Sequence, residues 1–148
     1  MDKFTTQLKI AFASQYAFAI KAQNYHWNVE GIEFSQYHDF YADLYQDIYG
    51  SIDPVAENIR KLGEYTPISI SELHNFKTIE ENTDRVDLIK DQLATLIVDN
   101  DKVIESLNKV FALATAANKQ GIADFIAGRI DTHDKHGWML RASAKNIG

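Results

Sequence analysis

The sequence predicts an all-α protein in which a long crossover separates the second of four long helices from the third. Apolar residues recur at intervals of three and four along four long stretches, the spacing of an amphipathic helix. Only two prolines and seven glycines interrupt 148 residues that are 45% apolar, too little punctuation for the short strands of a sandwich or barrel. The length suits a single domain over residues 1–148 with one core.

The first helix is expected over about 3–28. Advancing about 100° per residue from Phe4, the residues Leu8, Ala11, Phe12, Phe18, Ala19 and Ala22 fall within about 80° of their mean direction. Asn28 to Glu33 breaks the pattern. Ser35 is the expected cap of a second helix over about 35–62, ended by Gly63. Pro54 falls inside it and crowds the carbonyl of Gly50, so two forms are open: a kinked continuous helix, which we favour, or a break near Gly50 and a restart with Asp53 as cap. From Tyr65 to Thr83 turn residues enclose one short helical candidate, Ser71 to Phe76, with Ser71 as its cap. Val86, Ile89, Leu93, Leu96, Asn100, Val103, Leu107, Val110 and Ala114 define a third long helix from Asp84 to about Asn118. Ile122, Ile126, Ile130, His133, Gly137 and Leu140 form the inner stripe of a fourth, reaching about Asn146. This is the connectivity of a ferritin-like four-helix bundle with a long crossover carrying a short helix.

Composition excludes several chemistries. With no cysteine there are no disulfides, thiolate zinc sites or cysteine nucleophiles, so any metal must be held by carboxylates and the five histidines. Fifteen basic against 21 acidic residues leave a net charge of −6, with no surplus to follow a phosphate backbone. The opening residues have no basic stretch leading into an apolar run, and no run of apolar residues is long enough to span a membrane. A soluble, cytoplasmic protein with no membrane partner is the expectation.

A bundle-centred carboxylate site needs Glu-x-x-His on two helices, and no glutamate here is followed three residues later by histidine. What the chain offers is His26 near the end of the first helix, His38 in the first turn of the second, and Asp53 with Glu57 farther along. At about 1.5 Å per residue the two carboxylates lie roughly 22 to 28 Å beyond His38, too far to share one ion within a chain. Their directions agree, at about 60° and about 100° from His38. Two copies of the second helix, antiparallel across a two-fold axis, would set the histidines of one opposite the carboxylates of the other and make two equal interface sites. Tyr37, Phe40, Tyr41, Leu44, Tyr45, Ile48 and Tyr49 cover more sides of this helix than one core can bury, which independently favours a homo-oligomer. Trp138 and Met139 point away from the fourth helix's stripe and suggest another buried surface. Trp27 either lines the site or packs an interface. His133 reads as a buried, hydrogen-bonded histidine; His136 and His74 have no companion spacing. Asp124 and Asp131 suit either a cation entry pore or a polar surface.

The spaced set His26-Trp27-Asn28-x-x-Gly31-x-x-Phe34-x-x-x-His38, followed by Asp53-x-x-x-Glu57, resembles the signature of the Dps family, the mini-ferritins or DNA-binding proteins from starved cells. The likeness is close over the first two helices and looser beyond. It implies a hollow dodecamer that binds ferrous iron at two-fold interfaces, oxidises it preferentially with hydrogen peroxide, stores ferric mineral and so protects against oxidative stress. It also implies that His26 and His38 of one subunit, with Asp53 and Glu57 of its partner, are the ferroxidase ligands. The family usually has a carboxylate four residues after the second histidine, where this chain has Ala42. Asp39, at about 100° on the same wheel, is a better substitute than Asp43 at about 140°. Imidazole and carboxylate ligands also suit zinc or manganese. The alternative reading is a non-enzymatic helical assembly of the same kind with a weakened metal site. Lysine-rich tails are absent, and twelve subunits at −6 would carry about −72, so the expected DNA affinity is negligible.

Overall fold

The computed structural model describes residues 2–147. Its order is α1 (Lys3–Asn28), α2 (Phe34–Lys61), α3 (Ile70–Phe76), α4 (Ile89–Ala116) and α5 (Gln120–Ala144), and no strand occurs among the described residues. Asp2 caps α1 by accepting the Thr5 amide at 2.8 Å. The five residues between α1 and α2 turn the chain back on itself, helped by Gly31 at φ +120°, a conformation that side chains with a Cβ rarely adopt. α1 packs on α2 and α4, and α4 on α5. The shared core includes Phe18, Tyr25, Tyr41, Ile48, Ile59, Leu93, Leu107, Ile126 and Leu140, all fully buried.

α2 is continuous through Pro54. The carbonyl that proline leaves without its amide belongs to Gly50, which is exposed and has open space around it, so water can take the place of the lost donor. Ser35 is not the cap. α2 already begins at Phe34, and the preceding Glu33 makes no side-chain cap bond. Other contacts fix this end: the Phe34 amide donates to the Gly31 carbonyl at 3.1 Å, and the Phe34 ring stacks on His38 with centroids 4.9 Å apart.

Two further boundaries differ from expectation. The short helix is capped by Ser69 rather than Ser71: Ser69 Oγ accepts the Glu72 amide at 3.1 Å, while Glu72 accepts the Ile68 amide at 3.0 Å. The spacing Ser69-x-x-Glu72 is that of a capping box, with the Glu72 carboxylate reaching the amide one residue before the cap. α4 starts at Ile89, five residues after Asp84. Val86 is half-buried from non-helical backbone, its carbonyl held at 2.9 Å by the buried amide of Gln92, whose oxygen receives the Tyr41 hydroxyl. The fourth long helix ends at Ala144, two residues short of Asn146.

The crossover is tied to α1. Ile79 is buried, Asn82 donates to the Tyr25 hydroxyl at 2.9 Å, and the Thr78 amide donates to Ser14 Oγ at 3.0 Å. Lys21 donates to the Glu80 carbonyl at 2.8 Å and forms a buried ion pair with Asp99 of α4 at 2.6 Å. Burial pushes the Asp99 carboxyl above its ordinary value, and the Lys21 ammonium works in the opposite direction.

Candidate metal centre

His26 lies in the last turns of α1 and His38 in the first turns of α2, so the short link between the helices brings them together. Their rings stack with centroids 3.8 Å apart and planes 17° from parallel. Each ring is fixed by the other residue's main chain: His26 Nδ1 donates to the His38 carbonyl at 2.6 Å, and His38 Nδ1 to the His26 carbonyl at 2.7 Å. A carbonyl can only accept, so Nδ1 carries the proton in both rings, and in neutral imidazole the lone pair is then on Nε2. Metal-binding histidines are commonly oriented in this way, with one nitrogen held by the protein and the other presented to the ion. Both residues are half-buried; Trp27 beside them is 62% exposed, and the Tyr45 ring lies 5.3 Å from that of His26.

Asp53 and Glu57 are exposed on α2. Because that helix is unbroken, its rise separates them from His38 by roughly 22 and 28 Å. The structure thus joins the two histidines and keeps the carboxylates apart from them; among the described residues, no three histidine, aspartate or glutamate side chains of one chain gather to hold a metal. Asp39 and Asp43 are exposed and Ala42 is half-buried. Asp124 and Asp131 are exposed on α5, and His74 meets Glu81 at 3.5 Å on the surface.

A second polar cluster connects α2, α5 and α4. Asp47 receives both terminal nitrogens of Arg129 at 3.1 and 3.0 Å, and His136 Nε2 at 2.6 Å. Arg129 Nη2 also donates to His133 Nε2 at 2.9 Å, so the proton of His133 is on Nδ1, which donates to Asn100 Oδ1 at 2.9 Å. Asn100 returns a bond to the His133 carbonyl. Burial alone would raise the Asp47 carboxyl, but the hydrogen bonds from His136 and Arg129 and the charge of Arg129 outweigh it and hold the group well below its ordinary value. Burial drives His133 well below its ordinary value, with the neighbouring Arg129 charge acting in the same direction. His133 is buried and hydrogen-bonded, as its place on the stripe suggested. Reading helices singly missed Asp47 and His136. The available signal was Arg129, His133 and His136 spaced by four and three on one helix, a polar face in need of an acidic partner.

The helical order and the paired histidines define the class: this is a ferritin-like four-helix protein, and the ferritin-like domain family matches residues 5–147. The chain is 30% identical over 131 residues to a low temperature-induced protein of Nostoc, covering 88% of this chain and 73% of that one. It is 26% identical to DNA protection during starvation protein 2 of Bacillus anthracis, covering 82% and 83%. It superposes on the crystal structure of a Dps protein from Vibrio cholerae with a TM-score of 0.91 and 26% identity, over 97% of this chain and 89% of that one; that protein is described as a member of a broad superfamily of ferritin-like diiron-carboxylate proteins. The chain belongs to the Dps family, whose role is iron storage. No helix among the described residues is long and apolar enough to cross a membrane.

Proposed function

We propose that this chain is a ferroxidase and iron-storage mini-ferritin, acting in the cytoplasm as a hollow dodecamer built from two-fold pairs. The observation that carries the reading is the orientation of the histidine pair: main-chain carbonyls hold both Nδ1 protons, and two Nε2 lone pairs remain for a ferrous ion. Asp53 and Glu57 are out of reach within the chain but share the face of α2, so an antiparallel copy supplies them: His26 and His38 of one subunit work with the partner's Asp53 and Glu57. Imidazole nitrogens suit ferrous iron, and the two carboxylates neutralise charge and favour the ferric product; zinc or manganese fits the same donors. Asp39 is the nearest substitute for the carboxylate that Ala42 lacks. Hydrogen peroxide accepts one electron from each of two ferrous ions, takes up two protons and leaves as two waters. Peroxide removal and iron sequestration are then one reaction.

Oligomerisation has independent support in the apolar side chains that one chain leaves in water, including Ile32 at 102%, Ile68 at 87% and Trp138 at 62% exposure. The negative charge of the assembly opposes binding to DNA.

The test is stopped-flow absorbance after ferrous iron and hydrogen peroxide are mixed with wild type and with the double variant His26→Ala, His38→Ala. Fast oxidation is expected in the wild type and its loss in the variant, with the particle size by light scattering unchanged. Equal rates would reject the assignment. A slow wild type with an intact cage would favour a non-enzymatic assembly, the reading that Ala42 supports.

A further inference from the structure

A file of tyrosine rings leads away from the histidine pair along the seam between α1 and α2. Tyr45 lies 5.3 Å from His26, Tyr49 5.9 Å from Tyr45, and Tyr16 of α1 5.9 Å from Tyr49, all centroid to centroid. At such separations ring edges touch. His38, Tyr45 and Tyr49 are seven and then four residues apart, which keeps them on one face of α2, and Asp53 follows one turn beyond Tyr49. The file therefore starts at the histidines of one iron site and ends a helical turn from a carboxylate of the other. Packing requires only the rings; the hydroxyls add a redox-active group, and that of Tyr49 makes just one long bond, to Gln23 Oε1 at 3.3 Å.

We infer that Tyr45 and Tyr49, with Tyr16 beside them, form an electron relay joining the two iron sites of a two-fold pair, so that one peroxide draws its two electrons from two singly occupied sites. The inference rests on the interface reading of the site given above. It explains how the donor set can work: His26 and His38 with the partner's Asp53 and Glu57 are four side chains, enough for one ion, whereas peroxide needs two electrons. The first ferrous ion gives one electron to hydrogen peroxide, whose O–O bond breaks to hydroxide and a hydroxyl radical. Tyr45 gives an electron and its phenolic proton to that radical, forming water and a tyrosyl radical. Tyr49 restores Tyr45 by the same exchange. The ferrous ion at the second site returns an electron to the Tyr49 radical, which takes a proton from solvent, and becomes ferric. A second solvent proton converts the hydroxide of the first step to water, so the sum is two ferrous ions, one peroxide and two protons giving two ferric ions and two waters. Hopping between touching rings replaces one long tunnelling step, and the hydroxyl radical is consumed where it forms.

The experiment uses the assembled protein loaded without oxygen with one ferrous ion per chain, mixed with hydrogen peroxide, freeze-quenched and read by electron paramagnetic resonance. A parallel sample contains a hydroxyl-radical spin trap. The wild type should show a tyrosyl radical whose spectrum narrows with ring-deuterated tyrosine, consume two ferrous ions per peroxide and give little spin adduct. Tyr45→Phe and Tyr49→Phe keep the rings, and circular dichroism and particle size check that fold and assembly are retained. Each should lower the radical yield several-fold, raise the spin adduct several-fold and move the ratio toward one ferrous ion per peroxide. Tyr65→Phe, away from the seam, should match the wild type. Unchanged radical yield and ratio in both seam variants would overturn the relay alone. A wild type that oxidises no iron with peroxide would overturn both the ferroxidase reading and the relay.

Discussion

Replacing Asp47 with alanine tests the polar cluster between α2 and α5. The substitution strips three hydrogen bonds, two from Arg129 and one from His136, and leaves a guanidinium that is only 7% exposed without its counter-charge. Breaking a buried pair from one side costs about 3–5 kcal/mol. The Asp47 side chain keeps 32% of its exposure, so water softens the loss, and about 2–4 kcal/mol is the expected figure. Urea unfolding at pH 7 and one fixed protein concentration measures it, with Glu105→Ala as the control. Glu105 faces Lys109 at 3.5 Å, both well exposed, and its loss should stay within about 0.5 kcal/mol. The sign with pH follows from the depressed Asp47 carboxyl: its contribution is complete above the unfolded value of about 3.8 and fades as pH falls through the lower folded value. The contribution of the Asp47 carboxylate should therefore be fully present at pH 7 and shrink under strongly acid conditions. A loss below about 1 kcal/mol at pH 7 would show that Arg129 is satisfied without Asp47 and refute the reasoning.

His133 gives a separate pH signature. Its folded-state value is depressed, so below about pH 6.5 the unfolded chain takes up a proton that the native chain refuses, and stability falls by up to about 1.4 kcal/mol per pH unit. His133→Gln removes this dependence, so the stability gap between wild type and variant should narrow from pH 7 to pH 5 in urea titrations; a constant gap would contradict the buried neutral ring. Gly137→Ala should cost about 1–3 kcal/mol by thermal melting. The added Cβ would sit 2.8 Å from the movable end of Arg141 but 3.0 Å from the Asn100 amide, which His133 holds in place. Gly128→Ala, with open space around it, should be neutral or stabilising.

Much of this architecture is written in spacing. The core stripes of α1, α4 and α5 could be read because a helix repeats its direction every few residues, and the same arithmetic picked out His133 as interior. The boundaries were harder. Val86 is apolar and falls in step with α4, yet it is packed from non-helical backbone because Gln92 ties down its carbonyl, a contact that periodicity does not register. Ser71 stood where a cap was wanted, but the local hydrogen bonds chose Ser69, whose partner Glu72 was in view all along. At the candidate site, the sequence brought His26 and His38 to adjoining helix ends. It could not show that each ring binds the other's main chain, since that depends on the angle at which α1 and α2 meet. Asp47 escaped for a related reason: a single helical wheel shows which way a carboxylate points and not what stands opposite on α5.

The uninterrupted course of α2 through Pro54 bears on how this chain can tolerate change. One amino acid inserted between His38 and Asp53 would swing every residue downstream by about 100° and carry Asp53 and Glu57 to a different side of the helix. The same insertion among the exposed residues around Ile68, before α3, would displace surface alone. Lineages of this protein should therefore vary in length around that loop while the fifteen-step interval on α2 stays fixed, as on a ruler whose marks cannot be moved one at a time.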